Sequence, residues 1–189
     1  YDKSIENGNK AVAILNETSP KTLERAYALS NVGYIYVFKS DGASAEKYIS
    51  SSLTLLKSLK QSKSWIAIHA HAYLASTYTV MGKLVEAAEE IALAIDIVEG
   101  VEMNVIMLRF AIMPYGTAVF VYTVAQLYDD AIRLGDELIS SMNQLGMQNV
   151  FEYGNTLQNV GAAYLAKGDK ENGLKYYNQA KEHYEEYGY

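Results

Sequence analysis

The stretch Leu29-Ser30-Asn31-Val32-Gly33-Tyr34-Ile35-Tyr36 is matched near the other end of the chain by Leu157-Gln158-Asn159-Val160-Gly161-Ala162-Ala163-Tyr164. Both windows place Leu, Asn-Val-Gly and a final Tyr at the same spacing. Two weaker copies lie between them and end at Tyr78 and Tyr122, so that the four final tyrosines are separated by 42, 44 and 42 residues. Self-similarity at a fixed period of this size is the signature of a repeat architecture.

These four framework tyrosines, Tyr36, Tyr78, Tyr122 and Tyr164, are each followed by further repeat positions. A small residue comes nine residues later, at Ala45, Ala87, Ala131 and Gly173. The position thirteen residues after the tyrosine is large in three copies, at Ile49, Ile91 and Tyr177, and is Gly135 in the third copy. Small residues let two helices approach closely and large ones wedge between them, so the pattern predicts pairs of antiparallel helices. The third copy departs from it, because Val119 replaces the small residue before the tyrosine and Gly135 replaces the large wedge.

The pattern resembles the tetratricopeptide repeat (TPR), which places Leu-Gly, Tyr and later Ala, an aromatic and Ala on two antiparallel helices. The resemblance implies an all-α fold, a right-handed superhelical solenoid of about nine helices. We expect one solenoid over 1–189, part of a longer protein, with a half repeat at 1–16 and repeats at about 21–60, 64–99, 102–145 and 149–187. The predicted helices are 2–16, 21–39, 43–60, 64–81, 84–99, 102–125, 128–145, 149–167 and 170–187. Ser19-Pro20 predicts a helix start, and Pro114 predicts a kink or break within a helix.

Composition excludes several classes of protein. Half of the 189 residues are hydrophobic and 20% are charged, which is enough apolar surface for a core. The formal charge of −6 argues against direct nucleic-acid contact, which needs a basic surface. The apolar runs are too short to span a membrane. The absence of cysteine excludes disulfides and thiolate chemistry and is typical of a cytoplasmic protein.

The sequence offers little for catalysis. Its three histidines are His69, His71 and His183, and the first two face different sides of a helix, so they cannot share a metal ion. No nucleophile motif, zinc motif or glycine-rich phosphate loop is present. We therefore expect a protein that is not an enzyme and that uses no cofactor and no metal.

The TPR resemblance implies a binding surface on the concave side, which the first helix of each pair lines. The side chains that the repeat register assigns to it are Tyr27, Asn31, Tyr34, Phe38, His69, Tyr73, Met113, Thr117, Phe120, Asn155, Gln158 and Asn159. Aromatic faces stack on sugars or apolar side chains, while amides bind hydroxyl groups or a peptide backbone. For Tyr34, Tyr73 and Phe120 a second interpretation stands, that they only pack between neighbouring helices.

The windows Glu24-Arg25-Ala26-Tyr27-Ala28 and 81–87 resemble the repeat domain of MalT-like regulators, the large ATP-binding LuxR-type transcription regulators. That resemblance implies a bacterial sensor module that receives a small inducer. The alternatives are a peptide-pheromone receptor of the Gram-positive quorum-sensing type and a plain protein-interaction scaffold. The expected partner is therefore another protein, a peptide or a small inducer, and self-association stays open.

Overall fold

The computed structural model describes residues 1–100 and 105–189, and these form helices without a strand. The helices are α1 (Asp2–Thr18), α2 (Leu23–Phe38), α3 (Gly42–Ser58), α4 (Trp65–Val80), α5 (Leu84–Glu99), α6 (Val105–Val124), α7 (Tyr128–Gln144), α8 (Phe151–Lys167) and α9 (Lys170–Tyr187). The predicted helix ends agree within two residues, except for the start at 102, which lies outside the described residues. The prediction of an all-α chain is confirmed. No helix within the described ranges is long and apolar enough to cross a membrane.

The chain divides into two compact units, Tyr1–Ile97 and Val98–Tyr189. In the first unit α2 packs against α1, α3 and α4, and α3 packs against α4. Side chains of these four helices form a buried cluster there, with Val12, Ala26, Leu29, Val32, Leu55, Leu56, Ile66 and Ala67 as its members. In the second unit α6 packs against α7 and α8, and α8 packs against α7 and α9. The first helices α2, α6 and α8 thus each contact their own partner and a helix of a neighbouring pair.

A left-handed residue closes the turn within every helix pair, four residues after the framework tyrosine. It is Ser40 (φ 57°), Gly82 (φ 74°), Gln126 (φ 63°) or Gly168 (φ 96°). A second set stands 24 residues after the tyrosine, where the second helix ends, at Lys60 (φ 59°), Gly146 (φ 67°) and Gly188 (φ 74°). The corresponding residue of the second repeat, at 102, lies outside the described residues. The backbone therefore keeps the repeat register even where the sequence departs from it.

The third repeat keeps its packing by exchanging the sizes of two side chains. In the first repeat a Cβ on Gly33 would clash with the Ile49 side chain, so a small residue faces a large one. In the third repeat Val119 stands at the position of Gly33, and Gly135 stands at that of Ile49. A Cβ on Gly135 would lie 3.4 Å from Cγ2 of Val119, and Val119 is fully buried. The same pair of positions is thus filled in both repeats, but the large side chain is on the second helix in the first repeat and on the first helix in the third.

Two local predictions change. Helix α2 does not begin at Ser19-Pro20, because Thr22 is its N-cap and its hydroxyl oxygen accepts a hydrogen bond from the Arg25 amide at 3.4 Å. Pro20 belongs to the preceding turn. Of the kink or break predicted at Pro114, the break does not occur, since α6 runs on from Val105 to Val124 with the buried Pro114 inside it.

Candidate functional site

A chain of aromatic rings runs across α2 and α4 in the first unit. We call it the aromatic strip, and its members in order of ring contact are Tyr1, Phe38, Tyr34, Tyr73, His69, Trp65 and Tyr27. Each ring touches the next, with no gap in the series. Five of the seven were predicted as binding residues from the repeat register: Tyr27, Tyr34, Phe38, His69 and Tyr73.

Helical spacing builds the strip. Tyr27, Tyr34 and Phe38 are seven and four residues apart on α2, so they share one face of that helix. Successive intervals of four place Trp65, His69 and Tyr73 on one face of α4. The two faces meet because α2 packs directly against α4. The sequence thus places six rings at one helix–helix seam.

The Tyr34–Tyr73 stack is the centre of the strip. Their ring centroids lie 4.0 Å apart with the planes inclined by 15°, and Phe38 meets Tyr34 edge-on at 4.8 Å. Burial raises the pKa of both the Tyr34 and the Tyr73 hydroxyl, so both phenols are neutral at physiological pH. This pair joins α2 to α4. Packing between neighbouring helices is the second interpretation of these two residues from the sequence.

The ends of the strip are open to solvent. Phe38 is 53% exposed, Tyr27 is 45% exposed and Trp65 is 39% exposed, whereas Tyr73 at the centre is 8% exposed. Large aromatic side chains usually bury most of their area, so several exposed rings at the ends of one continuous series suggest a surface that a partner covers. The strip combines a fixed centre with ring faces that a partner can cover.

Asn31 supplies polar chemistry beside these rings. It lies on α2 between Tyr27 and Tyr34, is half-buried, and its amide makes no hydrogen bond with the described residues. An amide in such a place has both a donor and an acceptor to offer. The neighbouring Ser30 is buried and its hydroxyl has no hydrogen-bond partner in the described structure.

The two neighbouring histidines point to different surroundings. His69 belongs to the aromatic strip, with its ring 5.8 Å from that of Trp65. His71 instead reaches α5, where its Nδ1 lies 2.7 Å from a carboxylate oxygen of Glu90. Among the described residues no three His, Asp or Glu side chains converge in a way that could hold a metal ion.

The predicted site residues of the second unit do not form a comparable strip within the described structure. The Thr117 hydroxyl contacts the Met113 sulfur at 3.6 Å, and Phe120 is 45% exposed without a ring contact to a described residue. On α8, Asn155 and Asn159 are half-buried, while Gln158 is exposed. The Gln158 side-chain oxygen accepts a hydrogen bond from the Tyr184 hydroxyl at 3.5 Å. Gln158 therefore faces α9.

Sequence reasoning missed Trp65 and Tyr1. Trp65 is the first residue of α4, four residues before His69, so an extension of the predicted face by one helical turn would have included it. Tyr1 precedes α1 and stacks on Phe38 at 5.7 Å with an interplanar angle of 5°. That contact depends on how α1 packs on α2, and no spacing rule within one helix could have indicated it.

Comparison with known proteins extends the fold assignment. No protein-family model matches the sequence, and no curated protein matches it. A solved structure of a Podosopora anserina protein, of the kinesin light chain kind with nearly identical TPR-like repeats, superposes with a TM-score of 0.73. It is 14% identical, and the match covers 97% of this chain and 86% of that one.

BtubC (BKLC) from P. vanneervenii is a second similar structure. It superposes with a TM-score of 0.66 at 14% identity, over 96% of this chain and 90% of its own. At this level of identity the likeness concerns the fold. The chain is an all-α repeat protein of the TPR-like type.

Proposed function

We propose that this chain is a non-catalytic binding module whose aromatic strip holds a peptide segment of a partner protein. The observation that carries the proposal is the unbroken series of rings on α2 and α4, exposed at both ends and flanked by the amide of Asn31. The similarity to TPR-like repeat structures supports it, since repeats of this type present extended binding surfaces.

The chemistry of the strip favours apolar and aromatic side chains of the partner. None of its seven side chains carries a fixed charge, and its two tyrosines of raised pKa stay neutral. Ring faces of Phe38, Tyr27 and Trp65 offer stacking area, and Asn31 can pair with a backbone amide. A peptide supplies apolar side chains and backbone amides at a regular spacing, whereas a sugar has neither.

The finer roles follow from the identity of the ligand. A peptide ligand fits a pheromone receptor or a plain scaffold, and a small inducer fits the sensor module of a MalT-like regulator. The open ends of the strip favour the peptide, because small-molecule sites bury most of their ligand. Thermal unfolding with sugars and with short peptides ranks these roles, since a ligand at 100 times its dissociation constant adds about 2.7 kcal/mol of stability.

Trp65 makes a direct test possible, because it is the only tryptophan in the chain. Peptides selected from a random library against the intact chain are titrated while Trp65 fluorescence is followed. We expect selected peptides to be rich in apolar and aromatic residues and to shift Trp65 emission on binding. Tyr27→Leu and Phe38→Leu are each expected to weaken binding by about tenfold, in the range that aromatic hot spots reach.

Phe151→Leu is the matched control, because Phe151 is an aromatic side chain of similar exposure (48%) on a first helix of the second unit. It should leave the affinity unchanged. If Tyr27→Leu and Phe38→Leu both bind the selected peptides as the parent does, the strip is not the binding site.

A further inference from the structure

A cavity of about 430 Å³ lies between α7 and α9 in the second unit, over the start of α8. Its volume is within the range of about 300–1,000 Å³ that ligand pockets occupy. Tyrosines from two helices line it, Tyr153 on α8 and Tyr176 and Tyr187 on α9, together with Glu182 and Glu186. The cavity is separate from the aromatic strip and shares no residue with it.

The lining is acidic and aromatic. Glu182 and Glu186 stand four residues apart on α9, so their carboxylates repel each other on one helix face. No Lys or Arg lines the cavity, and neither carboxylate forms an ion pair with a described residue. The cavity therefore has a negative charge that its own lining does not balance.

The tyrosine rings are fixed in place. The Tyr176 hydroxyl donates to Asp136 Oδ1 at 2.5 Å, and the Tyr153 hydroxyl donates to Asn143 Oδ1 at 3.0 Å. The buried His183 holds Tyr153 and Tyr187 at ring distances of 5.4 and 4.9 Å, and its Nε2 lies 2.7 Å from the Gln148 carbonyl oxygen. Because the hydroxyls of Tyr153 and Tyr176 are engaged and one face of the Tyr176 ring stacks on Tyr164 at 5.4 Å, these residues can offer a ligand only the remaining faces of their rings.

The first unit has a groove at the same repeat position, and there the chain supplies its own cation. Arg25 and Tyr153 both stand eleven residues before a framework tyrosine, and Thr54 and Glu182 both stand eighteen after one. The groove of about 570 Å³ beside Arg25 contains Lys21 and Arg25 and no carboxylate. The Arg25 guanidinium reaches from α2 to α1, where its Nε donates to Asn16 Oδ1 at 2.6 Å.

We infer that the cavity between α7 and α9 is a binding site for a guanidinium group, the side chain of an arginine on a partner peptide. In the equivalent groove of the first unit the Arg25 guanidinium lies at the wall, where it donates to Asn16 Oδ1 and to the Pro20 carbonyl oxygen, so this place in the fold accommodates the group at its edge. In the second unit a tyrosine replaces that arginine, and the carboxylates of Glu182 and Glu186 have no cationic partner among the described residues.

Guanidinium suits this lining better than ammonium does. Its planar face stacks on the rings of Tyr153, Tyr176 or Tyr187, while its N–H groups donate to the carboxylates of Glu182 and Glu186. Bidentate contacts of arginine with a carboxylate add direction to the charge attraction. A lysine gains the charge attraction but not the planar match.

The test titrates acetyl-Gly-Arg-Gly-amide into the isotopically labelled chain and follows backbone amide NMR signals of α9. The same tripeptide with citrulline is the neutral isostere, and one with lysine is the ammonium probe. We expect the arginine peptide to shift the signals around Glu182 and Glu186 and to bind about tenfold more tightly than the citrulline peptide. Equal binding of the citrulline or the lysine peptide would overturn the assignment of a guanidinium site.

The variant Glu182→Gln/Glu186→Gln should weaken arginine binding by about tenfold. Glu171→Gln/Glu185→Gln removes the same charge from exposed positions of the same helix outside the cavity, and should bind as the parent does. Both variants change only exposed side chains, so we expect both to fold. Thermal unfolding checks this. Parent-like affinity of the Glu182→Gln/Glu186→Gln variant would show that the carboxylates do not form the site.

Discussion

At the scale of single residues, the left-handed turns show how the repeat tolerates divergence. Gly82 and Gly168 meet the positive φ at little cost, whereas Ser40 and Gln126 adopt it with a side chain present. The same backbone geometry at all four positions indicates that the packing of the two helices imposes the turn. The side chain at this position changes the conformational free energy of the turn but not the backbone geometry of the turn.

We predict that Gly168→Ala lowers the free energy of unfolding by about 1–2 kcal/mol, because alanine is strained at φ 96° while no atom of the described residues lies within 4 Å of the new Cβ. The urea midpoint of unfolding measures the loss. Gly116→Ala is the matched control: Gly116 lies inside α6, and a Cβ there would meet no atom of the described residues within 4 Å, so alanine should stabilise by up to about 1 kcal/mol. Opposite signs are expected, and equal losses at both positions would contradict the backbone argument.

The raised pKa of Tyr78 leads us to predict that the protein loses stability in alkali. Burial, together with the hydrogen bond that its hydroxyl donates to Glu46 Oε1 at 3.1 Å, raises the pKa of Tyr78 to about 12. The unfolded chain has a tyrosine pKa near 10. Because the folded pKa is the higher one, this contribution to stability is complete below pH ~10 and is lost as the pH rises towards 12.

The urea midpoint of the parent should therefore fall between pH ~10 and 12, and that of Tyr78→Phe should fall less steeply over the same interval. The ultraviolet absorbance of tyrosinate should show one fewer late-titrating group in the variant. Identical slopes for the two proteins would mean that the Tyr78–Glu46 contact is not coupled to folding.

At the scale of helices, what the four repeats share is that the space between the two helices of a pair is filled. The exchange at Val119 and Gly135 keeps one large and one small residue at a fixed pair of positions. In the fourth repeat the pair is Gly161 and Tyr177, whose ring carbon would lie 3.0 Å from a Cβ on that glycine. The second repeat uses Ala75 and Ile91, both buried.

We predict that Gly135→Ala destabilises the protein by about 1–3 kcal/mol, because its Cβ would overlap Val160 on α8 and touch Val119. Adding Val160→Ala opens that space, so the double variant should lose less stability than the sum of the two single changes. Denaturant unfolding of the four proteins forms a double-mutant cycle. Strict additivity would show that the two side chains do not compete for the same volume.

Helix positions were predictable from the sequence because the framework tyrosines and small residues fix the register of each pair. Five of the seven strip members followed from that register. Tyr1 did not, since its contact with Phe38 depends on the packing of α1. The cavity beside Glu182 was also missed, because its lining combines second-helix residues with the start of α8. A spacing rule for first helices alone could not bring them together.

At the scale of the whole molecule, charge separates the two proposed sites. The chain has a formal charge of −6, yet the aromatic strip contains no carboxylate or fixed cation, while the cavity in the second unit contains two carboxylates. Salt screens interactions between exposed charges and leaves stacking of rings nearly unaffected. The two sites should therefore respond differently to ionic strength.

We predict that raising the salt from about 50 mM to about 500 mM weakens binding of the arginine peptide several-fold and changes binding of the selected apolar peptides little. Trp65 fluorescence reports the strip, and NMR signals of α9 report the cavity. A common salt dependence of both ligands would indicate that they bind in one place.

The exchange of sizes between Val119 and Gly135 also limits how the repeats can be recombined. If α6 alone were replaced by the first helix of another copy, a small residue would face Gly135 and a void would form. If α7 alone were replaced, a bulky side chain would meet Val119. The complete hairpin is therefore the smallest module that keeps this pair of positions matched, although Gly135 also faces Val160 on α8. A chimera that transplants α6 and α7 together should be more stable than either single-helix graft.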